Sequence, residues 1–121
     1  MSDLSPEATY RQIIDSLVDR SESVSETLLQ NEQIYSRALD HEEINAFTRS
    51  LTTEQRQLVA KICRAERVGG IHDVLADLTW WIGCRDVALT VDGVPMPVDQ
   101  SGMGLHGDFI GRLDDWQWPT D

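Results

Sequence analysis

Basic residues are scarce in this sequence. It has ten Lys and Arg against 21 Asp and Glu, a formal net charge of −11, and its only lysine is Lys61. A surface with this excess of negative charge repels the phosphates of nucleic acids and the head groups of anionic membranes. We therefore expect neither nucleic acid nor a membrane as a partner, whereas a basic protein would be attracted.

Cysteine is also scarce, and its placement indicates neither metal nor redox chemistry. Cys63 and Cys84 stand among apolar neighbours with no paired spacing, which argues against a disulfide framework and a zinc knuckle. The three histidines, His41, His72 and His106, show none of the spacings typical of a metalloenzyme. We expect buried, reduced thiols, no metal and no cofactor.

Long hydrophobic runs are absent. No stretch approaches the roughly 20 apolar residues that cross a bilayer, and residues 1–6 lack the basic and apolar regions of a signal peptide. The composition, 40% hydrophobic and 26% charged over 121 residues, is typical of a globular domain with its own core. We therefore expect one cytoplasmic domain spanning residues 1–121.

The sequence does contain a series of helix signals over residues 6–83. Ser5 and Pro6 can begin a helix as N-cap and first helical residue, and capping-box patterns at Asp40 and Thr52 predict two further helix starts. The Gly69-Gly70 pair predicts a helix end. Apolar residues at helical spacing give the expected core of five helices: Tyr10, Ile13, Ile14, Leu17 and Val18; Val24, Leu28, Tyr35 and Leu39; Ile44, Phe47 and Leu51; Leu58, Val59, Ile62 and Cys63; and Ile71, Val74, Leu75, Leu78, Trp81 and Ile82.

After residue 83 the apolar period changes from helical to alternating. Asp92-Gly93 is a strong signal for a two-residue hairpin turn. A turn there pairs residues 91, 89 and 87 with residues 94, 96 and 98. Both prolines of this stretch, Pro95 and Pro97, then occupy positions that need no N–H donor. We predict a hairpin at about residues 86–98.

Together these signals predict a mainly α fold of the α+β class. About five helices form a bundle over residues 6–83, and the hairpin and an ordered C-terminal tail (residues 84–121) pack on the helices. Residues 71–121 hold nine acidic and two basic side chains, a net charge of −7, against −4 for residues 1–70. The C-terminal third is therefore where we expect a functional surface.

The candidate functional residues of this region are two histidines, two acids, one arginine and three tryptophans. His106 lies among glycines at 102, 104 and 107, on a backbone free to approach a ligand, and a histidine near an aspartate is the minimum for acid–base chemistry. A loop histidine bonded to backbone carbonyls is the plainer interpretation. The candidates for binding a ligand or partner are His72, Asp73, Trp80, His106, Asp108, Arg112, Trp116 and Trp118.

The tryptophans have two interpretations. Trp80 and Trp81 point about 100° apart on a helix, so Trp81 joins the predicted core and Trp80 lies on its flank. Trp116 and Trp118 share one side of an extended tail. Either the tail folds back and caps the core near Trp80, or the indoles line a groove or a partner-binding surface.

No motif here performs a reaction by itself, and three functional hypotheses stay open. The first is a small acidic binding or regulatory protein, of the inhibitor or immunity type, that neutralises a basic protein partner. The second is a ligand-binding or enzymatic domain whose pocket lies between the fifth helix, the hairpin and the tail. The third is a homo-oligomeric assembly subunit, such as a homodimer formed through the second helix. The sequence favours them in that order, and favours binding over catalysis.

Overall fold

The structure, a computed structural model, describes residues 5–120. Its elements in chain order are α1 (Pro6–Asp19), α2 (Val24–Glu32), a 3₁₀ turn (Leu39–His41), α3 (Glu42–Arg49), α4 (Thr53–Cys84), β1 (Thr90–Val91), β2 (Val94–Pro95) and α5 (Gly104–Leu113). The predicted mainly α fold with a small hairpin is confirmed. Within this range, no helix has both the length and the apolar content that crossing a membrane requires.

Two of the predicted helix caps are confirmed. The Ser5 hydroxyl accepts a hydrogen bond of 3.1 Å from the Ala8 N–H at the start of α1. Ahead of α4, the Thr52 N–H donates to Gln55 Oε1 at 2.9 Å, and the Gln55 N–H donates to Thr52 Oγ1 at 3.1 Å. This exchange is the reciprocal pattern of a capping box.

The capping box predicted at Asp40 is wrong. Asp40 lies inside the 3₁₀ turn, and His41 precedes α3 without a side-chain cap. The approach to α3 is organised by Asn45 instead. Its Oδ1 accepts hydrogen bonds from the N–H groups of Tyr35 (2.8 Å) and Ser36 (3.1 Å), and its Nδ2 donates to the Ser36 carbonyl at 2.6 Å.

The helix end predicted at Gly69-Gly70 is also wrong, because α4 runs through both glycines as one helix of 32 residues. The predicted fourth and fifth helices are therefore a single helix. A glycine ends a helix when it adopts a left-handed conformation, and neither of these two has a positive φ. No proline follows to stop the chain from continuing, so the helix-forming residues on both sides prevail.

The chain divides into two compact units. Within the described part, one comprises residues 5–20 and 70–120, and the other comprises residues 21–69. The single domain inferred from length and composition stays a prediction, and each unit is described by itself.

In the unit formed by residues 5–20 and 70–120, α1 packs against α5 and against β1. Its buried apolar side chains are Tyr10 and Ile14 of α1, Leu75 of α4, and Leu105 and Phe109 of α5. Predicted core residues Ile13, Val74 and Trp81 are exposed. The α1 and α4 apolar stripes are therefore only partly buried.

The hairpin has the predicted register next to its turn. Val91 pairs with Val94, and the Met96 N–H donates to the Leu89 carbonyl at 2.7 Å. The turn residues at 92 and 93 have φ angles of 51° and 78°, as a two-residue turn that matches strand twist requires. The strands are only two residues long, so the pairing predicted for residues 87 and 98 lies outside them.

α5 begins four residues earlier than the short turn predicted from residue 108. Gly104 has a φ of +86°, and its N–H donates to Asp99 Oδ1 at 2.5 Å. The next N–H, of Leu105, donates to Thr79 Oγ1 at 3.0 Å. Side chains from outside the helix thus satisfy its first free N–H groups.

In the unit formed by residues 21–69, the core faces of the helices differ from those predicted. Asn45 and Thr48 of α3 are buried, because Asn45 bonds residues 35 and 36 and Thr48 Oγ1 donates to the Gln33 carbonyl at 2.9 Å. The polar face of α3 therefore points inward. Six residues predicted to be core are exposed: Val24, Leu39, Ile44, Phe47, Leu58 and Ile62.

Both cysteines are free thiols. Cys63 is half-buried, whereas Cys84, predicted to be buried, is exposed at the last residue of α4.

Candidate functional site

Asp108 is completely buried and serves as the acceptor for three hydrogen bonds. The Tyr10 hydroxyl donates to its Oδ2 at 2.5 Å, and the N–H groups of Gln100 and Ser101 donate to its Oδ2 and Oδ1 at 2.9 and 2.7 Å. Burial, the hydrogen bond and the carboxylate's negative charge raise the pKa of the Tyr10 phenol well above its ordinary value. The carboxylate is thus satisfied within the protein and holds the segment before α5 in place.

His106 does not join Asp108 in one site. Two residues apart on α5, the two side chains point to opposite sides of the helix. His106 Nδ1 lies 3.4 Å from Thr79 Oγ1, whose own proton goes to the Leu75 carbonyl at 2.8 Å. In this contact His106 therefore acts as the donor.

The structure does bring His72 and His106 together, and Asp73 contacts its neighbour His72. The His72 and His106 rings meet edge to face with their centroids 5.1 Å apart, and His72 Nδ1 lies 3.2 Å from Asp73 Oδ1. Over residues 5–120, no set of three or more His, Cys, Asp or Glu side chains is placed to hold a metal ion.

Arg112, Trp116 and Trp118 form a second cluster, on Asp15 of α1. Arg112 Nε donates to Asp15 Oδ1 at 2.7 Å, and Trp118 Nε1 donates to Asp15 Oδ2 at 3.1 Å. Arg112 Nη1 also donates to the Trp116 carbonyl at 2.6 Å. These bonds fix the tail against α1 and α5.

Trp118 also contacts two guanidinium groups. The Cζ atoms of Arg11 and Arg112 lie 5.4 and 5.3 Å from its ring centroid. The tail therefore folds back, as one interpretation predicted, but its indoles meet α1 and α5, while Trp80 packs on Trp81. The polar groups of Arg112 and Trp118 form hydrogen bonds within the protein, which fits a structural role.

The exposed tryptophans lie on the C-terminal part of α4. We call the surface formed by Asp73, Val74, Asp77, Trp80 and Trp81 the Trp80 face. Trp80 is 49% exposed and Trp81 is 42% exposed, and their rings meet edge to face at 5.1 Å. Asp73, Asp77 and Trp80 follow one another at i, i+4 and i+7, so they share one side of the helix. The result is a pair of accessible indoles beside two exposed carboxylates.

Sequence reasoning named Asp73 and Trp80 but missed three members of this face. Val74 and Trp81 were assigned to the core because they continue an apolar stripe with Leu78, and Asp77 was not singled out. The available signal was the spacing of Asp73, Asp77 and Trp80, which places two acids and an indole together on any helix.

A cavity of about 400 Å³ lies in the unit formed by residues 21–69. It is lined by Ser23, Ser25, Tyr35, Ile62, Cys63, Glu66 and Arg67. None of the candidates named from the sequence lines it. Burial, followed by the negative charge of Glu26, raises the pKa of the Cys63 thiol. This thiol therefore stays protonated at neutral pH and is a poor nucleophile.

The chain belongs to a protein family described as a family of unknown function (DUF6547), which matches residues 4–120. Comparisons with curated proteins and with solved structures found no match. The family's description names no activity.

Proposed function

We propose that this protein is a small acidic binding protein that docks a basic protein partner on the Trp80 face. The observation that carries the proposal is the pair of exposed indoles beside Asp73 and Asp77. Among described residues, the unit containing this face holds 11 acidic and four basic side chains, a net charge of −7. The other unit holds eight acidic and six basic side chains, a net charge of −2.

The indoles would supply most of the binding energy. Tryptophan is among the residues most enriched at interface hot spots, because a large flat ring buries much apolar area with few rotatable bonds. Inside this chain, Arg85 Cζ already lies 5.9 Å from the Trp81 ring centroid. A guanidinium of the partner would bind Trp80 in the same way, at roughly 0.5–2 kcal/mol.

The carboxylates would select the partner. The Asp73 side chain is 83% exposed, and Asp77 is exposed one turn further along the helix. Opposite charges on the two surfaces accelerate encounter and exclude acidic competitors. A protein that covers a basic surface also blocks anionic ligands from that surface, which is how an inhibitor or immunity-type protein would regulate its partner.

We place this interaction in the cytoplasm. The two free cysteines, one of them exposed, fit a reducing compartment.

The test is affinity capture with the intact chain as bait in cells that produce it. The double variants Trp80→Ala/Trp81→Ala and Asp73→Asn/Asp77→Asn are compared with Phe47→Ala, which removes an exposed aromatic ring elsewhere in the chain. Circular dichroism verifies that each variant is folded.

We expect wild type and Phe47→Ala to retain the same basic protein, and both double variants to bind it at least about ten-fold more weakly, the loss of roughly 1.4 kcal/mol. Added salt should weaken the complex, because the charges lie at the rim. Retention of no basic protein, or equal retention by the Trp80-face variants, would contradict the proposal.

A further inference from the structure

A second uncovered apolar surface lies on the N-terminal part of α4. Leu58 is 58% exposed and Ile62 is 62% exposed, and exposed Ala65 follows on the same side. The spacing of these positions, four residues and then three, is that of the seam between two paired helices. Ala60, on the opposite side, is fully buried in the protein's own core. The seam therefore faces outward.

Two opposite charges lie along one side of the seam. Glu54 and Lys61 are exposed and lie seven residues apart, which is about 10.5 Å along the helix. Both occupy the same side of the seam, at equivalent positions of successive heptads. Over residues 5–120, neither takes part in an ion pair.

We propose that this face, where residues 54–61 of α4 meet the same residues of a second copy, binds that copy with the two helices antiparallel. A two-fold axis midway between positions 54 and 61 sets Glu54 of each copy against Lys61 of the other. Leu58 then packs near the axis against its own equivalent, and Ile62 lies opposite Thr53, the first residue of α4 in the other copy. One helix thus supplies both halves of a self-complementary interface, which is the requirement for a symmetric dimer.

The charge pattern favours a second copy of the chain and this orientation. The unit that carries the seam has a net charge of only −2, so two copies repel each other weakly there. In a parallel pair, Glu54 would lie beside Val59 of the other copy, by heptad position, and would have no cation. In the antiparallel pair, Glu54 and Lys61 of each copy both have an oppositely charged partner on the other copy.

The experiment measures dimer dissociation by sedimentation and light scattering on the intact chain over a wide concentration range. Glu54→Lys and Lys61→Glu each replace two attractive pairs by two repulsive ones. We expect each single variant to weaken the dimer by about ten-fold or more at low salt. The double variant Glu54→Lys/Lys61→Glu restores the pairing with the charges exchanged, and should dimerise as wild type does.

Glu42→Lys is the matched control. It reverses an exposed acid on α3 and changes the net charge by the same amount as Glu54→Lys, so it should leave the dimer unchanged. Leu58→Asp tests the seam itself and should give a monomer that remains folded by circular dichroism. A wild-type chain that stays monomeric at every concentration overturns the proposal. So does a charge-exchanged double variant that remains as weak as the single variants.

Discussion

The Tyr10 hydroxyl donates a hydrogen bond of 2.5 Å to Oδ2 of Asp108, across 98 residues of sequence. Both side chains are fully buried. Because the same carboxylate accepts the N–H groups of Gln100 and Ser101, one acid joins α1, α5 and the segment that leads into α5. Within the unit formed by residues 5–20 and 70–120, this hydrogen bond links the first helix, α1, to the last helix, α5.

Replacing Tyr10 by phenylalanine should therefore destabilise the protein. The ring still fills the core, but Asp108 loses one of its three donors, and a hydrogen bond to a charged group is worth about 1.5–3 kcal/mol. We expect the free energy of unfolding in urea to fall by that amount. Tyr35→Phe is the control, because none of the hydrogen bonds described involves its hydroxyl. Equal losses in the two variants would mean that the Tyr10 bond contributes nothing specific.

The same phenol should make stability depend on alkaline pH. Folding raises the pKa of Tyr10 above its ordinary value of 10.0, through burial first and then through the hydrogen bond to Asp108 and its negative charge. Since the unfolded chain gives up this proton first, the stabilisation is complete below pH 10.0 and is lost as the pH rises further. Above that pH, titration of Tyr10 lowers the free energy of unfolding by about 1.4 kcal/mol per pH unit.

The measurement is the free energy of unfolding of wild type and Tyr10→Phe from neutral pH to pH values above the ordinary pKa of tyrosine. The variant lacks the titrating group, so its stability should decline less steeply. Parallel curves would show that Tyr10 is not the group responsible.

The two pairs of tryptophans should respond differently to truncation. Trp118→Ala removes a half-buried ring, its hydrogen bond to Asp15 and its contacts with two guanidinium groups. We expect a loss of about 1–3 kcal/mol. Trp80→Ala should change stability by less than about 1 kcal/mol, because its ring is half exposed. Thermal and urea denaturation measure both, and a cost at Trp80 as large as at Trp118 would argue for a structural role of Trp80.

The features that sequence reasoning predicted correctly are local ones. The cap at Ser5, the reciprocal pair Thr52 and Gln55, and the turn at Asp92-Gly93 each depend on residues at most three positions apart. Their hydrogen bonds and backbone angles follow from side-chain chemistry at that spacing. Such features need no knowledge of what packs against them.

The faces that point inward could not be predicted in the same way. Asn45 and Thr48 are buried because their partners, at residues 33–36, come within reach only after the chain has folded. An apolar stripe alone would have buried Phe47 in their place. Periodicity predicts that a helix has two faces, and the partners available across the fold decide which one is covered.

The candidate site residues also divide into those that local sequence identifies and those whose role depends on distant partners. Asp73 and Trp80 were named from the sequence because their chemistry stands out on one helix. The hydrogen bonds that Arg112 and Trp118 donate to Asp15 were not predictable, because Asp15 lies 97 and 103 residues away in the sequence. Sequence alone left the tryptophans divided between core and surface. In the structure, Trp116 and Trp118 are half-buried, whereas Trp80 and Trp81 are exposed.

Two glycines test the backbone conformation at two places, Gly104 at the start of α5 and Gly70 inside α4. Gly104 has a φ of +86°, and a Cβ there would lie 2.7 Å from a His106 ring carbon and 2.9 Å from Thr79 Cγ2. Gly104→Ala should therefore cost more than about 1 kcal/mol, from backbone strain and from displacement of packed side chains.

Gly70→Ala should have the opposite effect. Gly70 lies inside α4, and a Cβ there would meet nothing within 4 Å. Alanine in a helix interior is more favourable than glycine by about 0.5–1 kcal/mol, chiefly because it restricts the unfolded chain. If a helix ended here with Gly70 in a left-handed conformation, the same substitution would destabilise the protein. The sign of the change in the urea midpoint thus decides between one continuous helix and two, and a decrease would contradict the continuous α4.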